Sequence, residues 1–157
     1  MKANVTSSPV AATRRTTGIQ YAALPYRLVG ETVEILLVTS LRTHRWIIPK
    51  GWPMEGQQPS VCAAREAQEE AGVSGEIEAT EIGQYRYFKQ VKGNVSVPCK
   101  VDVFALKVTR ERKTWPEKVG RVRRWCTLAE AADAVEEPQL RLLILKFAAR
   151  MSAAKRH

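Results

Sequence analysis

Residues 50–73 read Lys50-Gly51-Trp52-Pro53-Met54-Glu55-Gly56-Gln57-Gln58-Pro59-Ser60-Val61-Cys62-Ala63-Ala64-Arg65-Glu66-Ala67-Gln68-Glu69-Glu70-Ala71-Gly72-Val73. Gly51, Pro53 and Gly56 break regular structure, so the first part is a loop. Pro59-Ser60 opens a helix with Ser60 as its cap, and Ala63, Ala64, Ala67 and Ala71 favour helical backbone. Gly72 stands where a left-handed C-terminal cap belongs. On this helix Glu66 and Glu69 are three apart and Glu66 and Glu70 four apart, so all three carboxylates project from one side. Such crowding destabilises a helix slightly, the more so near the negative end of its dipole. An all-oxygen cluster that bears this cost points to Mg²⁺ or Mn²⁺ rather than to zinc or copper. A solvated acidic face with a surface salt bridge is the competing explanation.

Outward from this segment, strands are expected on both sides. Upstream, Ile19–Val29 is a strand in which Pro25 implies an edge or a bulge. Gly30-Glu31 turns into Thr32–Thr39, whose apolar run implies a central strand covered on both faces. Trp46-Ile47-Ile48 is a short apolar piece ending at Pro49. Downstream, Glu76–Phe88 and Val95–Thr109 read as strands joined by the basic loop Lys89–Asn94. Arg110–Gly120 is a loop, and Val122–Cys126 a short strand. Thr127 with Glu130 forms a capping box for a helix over Leu128–Val135. In the last helix, opened by Pro138, Leu140, Leu143, Ile144, Phe147 and Met151 recur at helical spacing. The expected fold is α/β, or α+β by stricter convention, with a mixed sheet and helices on both faces. Residues 1–18 read as a polar arm, 19–152 as one domain and 153–157 as a basic tail.

Composition narrows the function. The 157 residues suit one domain, and their 45% apolar content is that of a globular protein. Cys62, Cys99 and Cys126 are odd in number and widely spaced, which implies reduced core residues in a cytoplasmic protein. With His44 and His157 as the only histidines, a zinc site of the usual kind lacks ligands. The polar N-terminal stretch is expected to be neither a signal peptide nor a membrane anchor, no run elsewhere approaches a membrane span, and only Arg14 and Arg15 suggest a cleaved targeting arm. Residues 58–81 carry a net −5, leaving +14 elsewhere of the total +9. An acidic patch within a basic chain suits a site that joins a metal to a polyanion.

The quoted segment resembles the box of the Nudix hydrolase family: Gly, five residues, Glu, seven residues, then Arg-Glu-apolar-x-Glu-Glu-x-Gly-apolar. Here the positions are Gly51, Gln57 and Arg65 through Val73, and the one departure is Gln57 in place of the first glutamate. The resemblance spans about residues 19–150 and implies an α/β/α sandwich that hydrolyses phosphoanhydride bonds with Mg²⁺ or Mn²⁺. It implies metal binding by Glu66, Glu69 and Glu70, catalysis by Glu66 and Glu70, and an Arg65 that holds the loop against the helix. Gln57 can accept a hydrogen bond from Arg65 but adds no charge, and Glu55 could take over its supporting role. Glu117 is a further candidate base.

Tyr21–Arg27, Arg45–Trp52 and Trp115–Trp125 are most similar to the diphosphoinositol and diadenosine polyphosphate hydrolases. That similarity implies a small phosphorylated substrate held by Arg27, Arg45, Lys50, Gly51, Lys89 and Lys92. Trp46 and Trp125 are expected in the core. Trp52 and Trp115 flank the cleft, where they could stack on a base or close a loop. The alternatives are an RNA 5′-end pyrophosphohydrolase, disfavoured by the lack of an aromatic platform, and a catalytically silent phosphate-binding module. No membrane or protein partner is implied.

Overall fold

A computed structural model of the chain describes residues 18–155. The expected N-terminal arm therefore lies, apart from Gly18, outside the described residues, as do Arg156 and His157. Eight strands join in one sheet: Gly18–Val29 (β1), Thr32–Thr39 (β2), Trp46–Ile47 (β3), Lys50–Gly51 (β4), Val73–Ile77 (β5), Gly83–Gln90 (β6), Ser96–Glu111 (β7) and Arg123–Thr127 (β8). The path runs β3-β2-β1-β7-β5, with β4 on β1, β6 on β7 and β8 on β2. β1 and β7 are parallel and the other pairs antiparallel, so the sheet is mixed. Pro59–Glu66 (α1), Leu128–Ala134 (α2) and Pro138–Lys155 (α3) are the α-helices.

β2 shows why this is a sandwich. Its side chains alternate between faces. Val33, Ile35 and Leu37 enter one core with Leu140, Ile144 and Phe147 of α3. Leu36 and Val38 enter the other with Ala63 of α1 and Phe104 of β7. The unbroken apolar run Ile35–Val38 is therefore buried on both sides, as expected of a central strand. Each such side chain contributes roughly 1.5–3 kcal/mol by leaving water. The mixed α/β sandwich expected from the sequence is the observed fold.

Three details differ from expectation. Pro25 is buried in a central strand rather than at an edge. It falls where the neighbour of β1 changes from β4, paired at Tyr21 and Ala22, to β2, paired from Tyr26 onward. A missing N–H is tolerated at that gap. Secondly, Glu76–Phe88 is not one strand, because the chain leaves β5 after Ile77 and re-enters the sheet at Gly83. β7 is long enough to pair with β6 along its first half and with β5 along its second. Thirdly, α3 runs through Lys155, so residues 153–155 of the expected tail continue the helix.

The capping box, the buried cysteines and two tryptophans stand as expected. Thr127 Oγ1 accepts from Glu130 N at 3.1 Å while Thr127 N donates to Glu130 Oε1 at 2.8 Å, completing the capping box. The three cysteines are free and buried. Trp46 and Trp125 are half-buried against the two cores. Among the described residues no helix is long and apolar enough to cross a membrane.

Candidate functional site

The helix that carries the acidic cluster departs from regular α geometry. Its cap is Gln58, extended and without a side-chain cap bond, and Pro59 takes the first helical position. Ser60 is inside the helix and buried, so it is not the cap. A proline at that position forfeits no needed N–H. After Glu66 the backbone widens to a π turn over Ala67–Ala71, closed by Gly72 at φ 69°. The Gly72 N–H donates to the carbonyls of both Ala67 and Gln68.

Bonding five residues back winds the chain more loosely. Residues four apart come nearer to eclipse, and those three apart diverge. Glu66 and Glu70 accordingly stay together, with Glu70 only 6% exposed. Glu69 turns outward, where Arg65 Nε donates to its Oε2 at 2.9 Å. The expectation that all three carboxylates share one side assumed regular winding and is corrected here. Arg65 is corrected too: it meets Glu69 instead of holding the loop, and Gln57 and Glu55 are exposed. Arg65 and Glu69 line a separate groove of about 460 Å³ on the outer face of α1.

The inner pair is held from several elements. A Cβ on Gly51 of β4 would stand 2.3 Å from Glu66 Cδ, so only glycine leaves the carboxylate its place. Lys50 N donates to Glu70 Oε1 at 3.3 Å, and Arg121 Nη2 lies 3.4 Å from Glu70 Oε2. Arg121 also donates from Nε to Glu117 Oε1 at 2.7 Å and from Nη1 to Thr39 O at 2.9 Å. Glu117 N donates to Glu69 O at 3.1 Å, bringing that loop carboxylate to the cluster.

Trp115 Nε1 donates to Glu70 O at 3.0 Å and Arg123 Nη1 to Ala71 O at 2.8 Å, satisfying carbonyls at the helix end. The Arg123 guanidinium lies 3.9 Å over the Trp115 ring, so Trp115 closes its loop over the helix instead of facing the cleft.

Burial pushes the Glu70 carboxyl up to about 8, against the pull of Arg121 and then Lys50. Burial drives the Lys50 ammonium down to about 8, opposed by Glu70. Glu66 is raised by its own burial and then by the charge of Glu69, with Glu117 adding to the effect. Burial, more than the charge of any neighbour, therefore sets these three shifts.

A cleft of about 490 Å³ opens beside Glu70 and is lined by Arg42, Arg45, Lys50, Lys89 and Arg121. Three of the phosphate-holding candidates, Arg45, Lys50 and Lys89, meet there, and Gly51 adjoins them beneath Glu66. Arg27 and Lys92 do not line it. Arg27 pairs with Glu34 at 2.7 Å and stacks 4.0 Å over Trp125, while Lys92 is exposed in the β6–β7 loop. Arg42 and Arg121 were not singled out from sequence. The latter lay within the quoted Trp115–Trp125 stretch, but nothing local marks which of its arginines turns inward.

Among the described residues no three His, Cys, Asp or Glu side chains stand gathered as a finished metal cage. The converging donors are Glu66 and Glu70 with Glu117 nearby, all oxygen, and burial is what chiefly raises the first two. That chemistry fits a hard divalent cation.

The NUDIX domain family matches residues 20–147. Nudix hydrolase 12, mitochondrial, of Arabidopsis thaliana is 36% identical over 126 residues, covering 70% of this chain and 62% of the relative. Diphosphoinositol polyphosphate phosphohydrolase 3-alpha of Mus musculus is 33% identical over 106 residues, covering 66% of this chain and 60% of the relative. The chain thus spans less than two thirds of the length of these curated relatives. A C. elegans Ap4A hydrolase binary complex superposes with TM-score 0.66 at 23% identity, over 87% of this chain and 98% of that one, which speaks to the fold. The cytoplasmic expectation is overturned: five Arabidopsis relatives, Nudix hydrolases 12, 13, 16, 17 and 18, are named mitochondrial. Reduced buried cysteines are equally at home in other compartments, so they could not carry that expectation. On the match across residues 20–147, the chain belongs to the NUDIX domain family.

Proposed function

We propose that residues 19–152 form a divalent-metal-dependent hydrolase that cleaves a phosphoanhydride bond in a diphosphoinositol polyphosphate or nucleoside polyphosphate. The observation that carries this reading is the pair of half-buried Glu66 and buried Glu70 beside a cleft walled by Arg45, Lys50, Lys89 and Arg121. The names of the mouse and C. elegans proteins support the two substrate classes.

Mg²⁺ or Mn²⁺, held by Glu66 and Glu70 with Glu69 once it leaves Arg65, would lower the pKa of water and offset charge on the phosphoryl oxygens. The chain's own groups do the rest. Lys50, Lys89 and Arg45 bind and orient the phosphates that do not react. Arg121 fixes Glu70 and Glu117 relative to each other, and the proton of the attacking water passes to a carboxylate of this cluster.

A silent binding module is the second reading, favoured by Gln57 at the first acidic position and by the capture of Glu69 by Arg65. The test is phosphate release from diphosphoinositol polyphosphates, dinucleoside polyphosphates, nucleotide sugars and triphosphorylated RNA with Mg²⁺ or Mn²⁺. Turnover of one of the first two classes, abolished by EDTA and restored by metal, is the expected result. Binding without turnover of any compound would leave the silent module.

A further inference from the structure

We propose that Glu137 is a positioning residue of the phosphate site: it pins one edge of the Arg45 guanidinium and leaves the remaining nitrogen, Nη2, for the substrate's phosphates. The inference rests on the reading of the cleft as a phosphate site and adds the group that orients one of its cations.

Arg45 ends the turn between β2 and β3, where its backbone N donates to Ser40 Oγ at 3.0 Å, and it lines the cleft. An arginine on a loop has many rotamers, and selecting one of them for a ligand costs entropy. Here one rotamer is held in advance. Nε donates to Thr43 Oγ1 at 3.2 Å, and Nη1 donates to Glu136 Oε1 at 3.3 Å and to Glu137 Oε2 at 3.1 Å. Nη2 has no hydrogen-bond or ion-pair partner among the described residues.

The two acids differ in what they can hold. The Glu136 side chain is 64% exposed, so its pair with Arg45 is weak. The Glu137 side chain is 9% exposed, and its backbone is fixed. It directly precedes Pro138, which opens α3, and its carbonyl accepts from Arg141 N at 3.0 Å. Arg141 also donates from Nε to Ala132 O at 2.9 Å and from Nη2 to Val135 O at 3.2 Å, tying α2 to α3. Glu137 thus grips Arg45 from a rigid junction.

Stability does not account for this carboxylate. Its Oε1 is buried without a hydrogen-bond partner. A buried acid satisfied at one oxygen costs desolvation that a single ion pair repays poorly, and apolar residues of similar volume commonly do as well. Attraction does not account for it either, because a negative charge beside a polyphosphate repels it. Orientation of Arg45 is the role left to it.

Repulsion and orientation act on a phosphate ligand with opposite signs, so substitution separates them. The experiment is calorimetric binding, with Mg²⁺ at fixed ionic strength, of a tripolyphosphate whose two bridging oxygens are replaced by methylene. Glu137→Gln should weaken binding on the order of ten-fold, because the amide keeps the shape but loses the charge on which the grip depends. In an Arg45→Met background the same substitution should cost no affinity, since the group it orients is gone. Glu136→Gln should stay within twofold of wild type. Unchanged or tighter binding in Glu137→Gln would overturn the proposal, as would a loss of the same size in Glu136→Gln. Equal weakening with and without Arg45 would overturn it too, as the mark of general damage to the fold. The ligand cannot be hydrolysed, so these arms are independent of turnover. Absence of binding by wild type would overturn the phosphate-site reading itself, and the proposal with it.

Discussion

Arg65 reaches forward along its own helix to Glu69, with Nε 2.9 Å from Oε2, rather than back to the loop at Gln57. An amide at position 57 accepts more weakly than a carboxylate, and Glu69 offers charge one turn away. The pair is exposed, 60% and 37%, so it is weak and exchangeable. Gln57→Glu should draw Arg65 to the loop and release Glu69, tightening Mn²⁺ binding by no more than about five-fold, since the pair it breaks is exposed. Electron paramagnetic titration of free Mn²⁺ reads this directly. Unchanged affinity in Gln57→Glu, together with wild-type affinity in Glu69→Gln, would mean that Glu69 takes no part in the metal site.

Gly51 sets the position of Glu66. Gly51→Ala puts a methyl group 2.3 Å from Glu66 Cδ, and either the carboxylate or β4 must move. Overpacking of this kind costs ~1–3 kcal/mol of stability. Displacing half of the carboxylate pair should lower turnover by at least ~100-fold, since metal placement serves both water activation and charge neutralisation. Gly56→Ala is the control for a loop glycine, because nothing lies near its added Cβ and only its φ of 77° is strained. Comparable turnover in the two variants would detach Gly51 from the site.

The buried charges give the metal-free protein a characteristic pH response. Glu70 is raised to about 8, so the folded state holds its proton longer than the unfolded chain. Its contribution to stability is greatest below the ordinary carboxylate range and is lost as pH rises through about 8. Lys50 is lowered to about 8, so its contribution is full above the ordinary lysine range and is lost as pH falls through about 8. The two effects meet in a stability minimum near pH 8 in EDTA. In Glu70→Gln the acid-side rise should flatten, and in Lys50→Met the alkaline-side rise. Melting temperatures between pH 5 and 10 check this, and a stability maximum near pH 8 would refute it.

How far the sequence could be read follows from which interactions are local. The sandwich was legible because β2 is apolar without a break from Ile35 to Val38 and α3 at every third or fourth position, patterns that belong to backbone geometry. The Thr127–Glu130 box was legible for the same reason. The π turn was not, since Ala67–Ala71 is ideal α-helical sequence. What surrounds it is tertiary: Trp115 and Arg123 take the last carbonyls of the helix from strands and loops far along the chain, contacts the local sequence does not encode. That widening is also why Glu69 was placed on the wrong side. Among the cations, residue type alone could not separate Arg121, inside and bonded to Glu70, from Arg27, which lies under no phosphate and over Trp125.

Those same placements divide the lysines and arginines expected to hold phosphate. Lys89 lines the cleft, whereas Lys92 stands two residues beyond the end of β6 in the exposed loop. Lys89→Ala should raise KM on the best substrate by roughly ten-fold with kcat nearly unchanged, because a contact to a non-reacting phosphate contributes to ground and transition states alike. Lys92→Ala should leave both within twofold. Arg27→Ala should also leave KM alone and instead lower stability by ~1 kcal/mol, having lost the Glu34 ion pair and the stack on Trp125. The three variants are compared by steady-state kinetics at fixed ionic strength, since added salt would weaken every cationic contact together. Equal KM effects at positions 89 and 92 would show that the hairpin attracts substrate by diffuse charge. A large KM effect in Arg27→Ala would move the phosphate site to the far side of β2, away from the Glu66–Glu70 pair.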